Sequence, residues 1–156
     1  MKSKQLSEDD LKYIQLSLLH LGAVKWTRSA VRLKRAIEYA VSRFVFSEET
    51  VGCLYNTLAE QDGCSYGVIE HSLRYAINNL WDCDPRNCSK LFLRSTEVEP
   101  CPGVSQFLYL YTAAFQRGVI KEYVDSMHDY NDLIDNNEQS EIKELIDRMS
   151  KIEILK

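Results

Sequence analysis

Apolar residues recur at three- and four-residue intervals along most of the chain, which is the period of a helix with one buried face. Leu11, Ile14, Leu18 and Leu21 form such a stripe over 7–22, with Ser7 as the cap, acids at 8–10 and Gly22 at the end. A second stripe, Leu33, Ile37, Ala40, Val41 and Phe44, predicts a helix over 27–44 capped by Thr27. A third helix over 47–61 opens at Ser47 and breaks at Gln61-Asp62-Gly63, because glycine takes the left-handed conformation that ends a helix. Ser65 restarts the chain as the cap of a fourth helix, over 65–81, which buries Ile69, Leu73, Ala76, Ile77 and Leu80. Pro85 disfavours helix at Asp84 and marks a stop, with a short helical piece expected at 89–93. Two prolines extend 96–103, and the apolar, aromatic run 104–116 is a core helix through Phe107, Leu108, Tyr111 and Phe115. No strand pattern occurs. The expected fold is all-α: a multi-helix domain over 1–117, and a C-terminal helical extension over 118–156 read as helices at 118–135 and 138–154. In the extension Ile142, Leu145, Met149 and Ile152 recur at heptad spacing.

The pair 47–61 and 65–81, joined by a short glycine-containing turn, matches a helix-turn-helix. The polar side of its second helix carries Glu70, His71, Arg74, Tyr75 and Asn78, a set of donors and acceptors suited to base edges in a major groove. Arg74 is the expected guanine contact, since its fork can bond O6 and N7 together. Glu70 would accept from cytosine or orient Arg74, although the two are also spaced as a simple ion pair. Ser65, with the first turn of the preceding helix, would hold phosphates. Arg28, Arg32 and Arg35 recur along one side of 27–44, with Lys25, Lys34 and Arg43 nearby. They form the one basic concentration in the chain. Contact with DNA phosphates and a plain solvated face are both open readings of that stripe.

The same stretch resembles the C-terminal effector domain of the stage-zero sporulation protein A family, the master sporulation regulators of Firmicutes. The words that carry the resemblance are Leu54-Tyr55 and Leu58-Ala59, then I-E-H-S-L-R-Y-A-I-N-N-L-W from Ile69 to Trp81, beside a family pattern near V-E-R-A-I-R-H-A-I-E-x-A-W. L-K-R-A-I at 33–37, Gly22, Leu91-Phe92 and the group Pro102, Ser105 and Phe107 keep the family's order over about 8–117. The resemblance implies a sequence-specific, DNA-binding transcription regulator acting on double-stranded DNA. It also implies a surface after the fourth helix that faces RNA polymerase, whereas a protein without DNA binding would instead meet another regulator. Val68 and His71 stand where the family has basic residues, and Tyr75 where it has His, so a different target sequence is expected. About seven residues precede the first helix, so control by an aspartyl phosphate on a receiver domain is not expected.

Charge changes this picture in one respect. The net formal charge is −4, yet residues 1–50 hold nine Lys and Arg against six Asp and Glu, while 118–156 hold five against ten. The acidic extension therefore sets the overall sign, and a phosphate backbone responds to the local basic patch. An interaction module that keeps the fold, lacks DNA binding and works through the acidic helices is the alternative; a homodimer through those helices is its simplest form. Five cysteines with no C-x-x-C pair argue against a disulfide framework or a zinc ribbon, and suit a cytoplasmic setting. No phosphate-binding loop, zinc-protease helix or nucleophile elbow occurs, so neither an enzyme nor a cofactor or metal is expected. No run is apolar enough for a membrane span.

Overall fold

The computed structural model describes residues 5–22, 27–43 and 48–127. Six helices are fully placed: α1 Glu8–Leu21, α2 Arg28–Arg43, α3 Glu48–Asp62, α4 Tyr66–Cys83, α5 Pro85–Leu93 and α6 Val104–Gln116. A further helical run covers 119–127, and among the described residues there is no strand. The fold is all-α, as the apolar periodicity requires.

Local chemistry sets the helix ends. Ser7 and Asp10 form a reciprocal capping box: the Ser7 hydroxyl accepts from the Asp10 N–H, and the Asp10 carboxylate accepts from the Ser7 N–H, both at 3.1 Å. Thr27 accepts from the Ala30 N–H at 3.2 Å, and Ser65 from the Val68 N–H at 3.3 Å. Gly63 ends α3 at φ 64°, with the Cys64 N–H bonded to the Ala59 carbonyl and the Gly63 N–H to the Glu60 carbonyl, a Schellman motif. The reading of Pro85 as only a stop is corrected here. Proline at a first helical position loses no hydrogen bond, so Pro85 opens α5 four residues earlier than expected, and Asp84 caps it by accepting from the Asn87 N–H.

Helix α2 lies at the centre and packs on α1, α3, α4 and α6, while α5 closes the end between α4 and α6. The predicted stripes are its core: Ile14, Leu18, Leu33, Ile37, Ile69, Leu73, Ile77, Phe107, Leu108 and Tyr111 are all buried, joined by Leu54 of α3. One polar pair sits inside. Ser17 donates to the Ile14 carbonyl at 2.8 Å, and the Tyr111 hydroxyl reaches the Ser17 oxygen at 2.7 Å. Phe44, Ser47, Lys25 and the heptad residues from Ile142 to Ile152 lie outside the described residues.

The first compact unit runs from Met1 to Val124 and a second from Asp125 to Lys156. The core unit thus extends past Gly118, where the expected extension begins, because Ile120 and Val124 are buried in it. His20 meets the Tyr123 ring edge-on there, with centroids 6.5 Å apart, as a packed side chain. No helix among the described residues is long and apolar enough to cross a membrane.

Candidate functional site

The α3–α4 connection is three residues, Gly63 to Ser65, and its position is fixed from outside by α2. Asp62, the last residue of α3, directs one carboxylate oxygen to each of two arginines. Arg32 Nε lies 2.7 Å from Oδ2 and Arg35 Nη1 lies 2.8 Å from Oδ1. Arg35 also donates to Gln61. The Arg32 guanidinium continues inward, donating to the Ser72 hydroxyl of α4 at 3.2 Å, and Ser72 meets Ser29 of α2 at 2.9 Å. The Cys64 sulfur is 4.0 Å from Arg32 Nη2. One guanidinium therefore touches the end of α3, the turn and α4. The arginines, Arg35 first, hold the Asp62 carboxyl below the usual carboxylate range.

This arrangement changes the reading of the basic stripe. Arg32 is buried, and its charge is matched by Asp62 rather than offered to solvent. Arg35 is half-buried on the same carboxylate. Both are structural clamps in this conformation, and Arg28 is the member of the stripe that stands exposed. A buried guanidinium is tolerated only with a carboxylate and hydrogen-bond partners, and Asp62 and Ser72 provide them. The spacing of the arginines gave no sign of Asp62, which comes 30 residues later. Ser72 did carry a signal: it falls between Ile69 and Ala76 on the apolar face of α4, where a hydroxyl requires a partner.

The outer face of α4 has the composition expected of it. His71, Arg74, Tyr75 and Asn78 are exposed on successive turns and Glu70 is half-exposed beside them. Arg74 donates to Glu70 at 2.6 Å, one turn away, in a solvent-screened pair whose own stabilisation is small. Ser65 caps α4 with its hydroxyl oxygen, so that acceptor is spent within the helix. Two concavities meet along this face. One, about 540 Å³, lies between α2 and α4 and includes Ser29, Ser65, Val68, His71 and Tyr75 in its wall. The other, about 450 Å³, is lined by Arg28, Val31, Arg32, Arg35 and Asp62. Arg32 forms part of both walls, so the two concavities are neighbours across this buried, Asp62-paired guanidinium.

Apolar exposure at Val31 and Tyr66 was not foreseen at this place. Val31, Tyr66, Val68 and Tyr75 are each more than a third exposed and all lie on α2 or the outer part of α4. Tyr66 packs edge-on against Tyr55, with ring centroids 4.8 Å apart. No cluster of three or more His, Cys, Asp or Glu side chains suited to a metal occurs among the described residues. No family model, curated protein or solved structure matches the chain.

Proposed function

We propose that this face binds double-stranded DNA with α4 as its reading helix, and that the protein is a sequence-specific transcription regulator of the sporulation-regulator kind. The observation that carries the reading is local charge. On a chain of net charge −4, the α2 side holds exposed Arg28 beside the Arg32 and Arg35 pair on Asp62, and α4 presents Arg74 beside Glu70, four arginines in all against two carboxylates. A basic concavity beside a helix that presents His, Arg, Tyr and Asn is suited to phosphates on one side and base edges on the other. In this reading Arg74 exchanges Glu70 for a guanine, and His71, Tyr75 and Asn78 supply flanking contacts. Arg28 meets the backbone, while Arg32 and Asp62 hold α4 at its angle.

A second reading is favoured by the four exposed apolar residues, which suit a protein partner better than a phosphate backbone. Fluorescence anisotropy across a salt series separates the two. DNA binding requires a log–log salt slope of several units, with Arg74→Ala costing roughly 1–3 kcal/mol on a preferred duplex. Absence of binding to any duplex at low salt rejects the DNA reading in favour of a protein partner.

A further inference from the structure

We propose that the concavity lined by Arg28, Val31, Arg32, Arg35 and Asp62 is a seat for a phosphoryl group, and that Asp62 is the internal anion that limits its occupancy. This deepens the DNA reading by naming the phosphate contact on α2, but the seat itself does not depend on α4 reading bases. Three guanidinium groups carry five N–H donors each. Among the described residues their bonds reach only Asp62, from both Arg32 and Arg35, and Gln61, Ser72 and Cys64. Arg28 is exposed and lines the concavity, and Arg35 bridges Asp62 and Gln61. Arg32 sits behind them, its side chain only 9 % exposed, so its charge acts through a partly desolvated wall.

Three cations against one carboxylate leave this open concavity of about 450 Å³ positive, and nothing in its lining closes it to a phosphoryl group. The forked geometry of guanidinium suits phosphate oxygens as it suits a carboxylate. Asp62 already takes one donor from each of two arginines. An entering phosphate therefore meets a like charge and must compete for the donors that Asp62 holds. The same carboxylate that positions α3 against α2 weakens the site it helps to build.

The two roles of Asp62 predict opposite signs for one substitution. Asp62→Asn keeps the shape, removes the negative charge and releases donors of Arg32 and Arg35. It should lower the thermal midpoint while tightening phosphate binding roughly five- to tenfold. The probes are inorganic phosphate and pyrophosphate, read by thermal shift at chloride-matched ionic strength, beside a random DNA duplex read by anisotropy. Arg28→Ala, at an exposed position, should fold normally and lose the phosphate-dependent rise in midpoint. If phosphate and pyrophosphate leave the midpoints of both wild type and Asp62→Asn unchanged, the seat is overturned. Equal or weaker phosphate binding by Asp62→Asn overturns the limiting role of the carboxylate. Phosphate binding without duplex binding keeps the seat, identifies a free phosphate or phosphate ester as its ligand, and rejects only the DNA reading.

Discussion

Ser17 and Tyr111 show what a single polar contact does in an apolar core. The Ser17 proton is spent on the Ile14 carbonyl, so its oxygen accepts the Tyr111 proton, and both side chains are fully covered. Burial pushes the Tyr111 phenol well above its ordinary range, so it remains a donor at all working pH values. Ser17→Ala leaves that hydroxyl buried without its partner and should cost about 1–3 kcal/mol in urea denaturation. Adding Tyr111→Phe removes the stranded group, so the double variant should lose less than the two single losses combined. Neither residue was singled out as polar core in the sequence, because the serine lies between apolar positions and its partner is 94 residues away. Arg32 eluded the sequence for the same reason. Periodicity identifies the face a residue occupies, whereas a partner 30 residues off is set by tertiary packing.

At the scale of elements, helix type and core faces were legible almost throughout, since caps and apolar spacing act within a few residues. Ser7, Thr27 and Ser65 cap as their positions suggest, and every predicted apolar position of α4 is buried. Pro85 was misplaced because one residue both ends α4 and opens α5, and only the Asp84 carboxylate decides in favour of the second helix. The two glycine-terminated helices differ in a testable way. At Gly63, with φ 64°, an added Cβ would meet nothing within 4 Å, so Gly63→Ala should cost only the conformational term, about 1 kcal/mol. At Gly22, with φ 130°, the Cβ would lie 2.7 Å from that of Cys83 at the end of α4. Gly22→Ala must strain the backbone and part α1 from α4 together, and should cost about 2–4 kcal/mol. Equal losses for the two variants in parallel denaturation curves would contradict this account of the α1–α4 contact.

For the whole molecule, one ion-paired carboxylate and a few covered thiol and phenol groups set the limits of stability in pH. Asp62 is depressed in the folded state, so its contribution is complete above the ordinary aspartate range near pH 4. That contribution falls away as the pH drops through its lowered value. Asp62→Asn should therefore flatten the acid limb of stability against pH. The alkaline limb has the opposite origin. Burial pushes the Cys88 thiol and the Tyr55 and Tyr123 phenols up to about 12, above their usual values near 9 and 10. Between those values the unfolded chain has released protons that the folded chain retains, so stability should decline as pH rises above about 9. Urea midpoints measured from pH 8 to 11 test this, and Cys88→Ala should reduce the earliest part of the decline, which it shares with the Cys101 thiol, also raised by burial. The exposed Cys53 and Cys83 should label with a thiol reagent in native protein, while Cys88 should react only on unfolding.

The single guanidinium of Arg32 has a consequence for how the fold can be divided. Because it reaches the end of α3, the turn and Ser72 from α2, the α3–α4 pair carries part of its own interior on a neighbour. A fragment limited to those two helices would expose Ile69, Leu73 and Ile77, and would keep Asp62 without either arginine. The pair is thus not a portable cassette: grafted onto another scaffold, it would need a host helix presenting arginines at matching positions. The smallest transplantable piece includes α2 and therefore begins no later than Thr27, the cap of that helix.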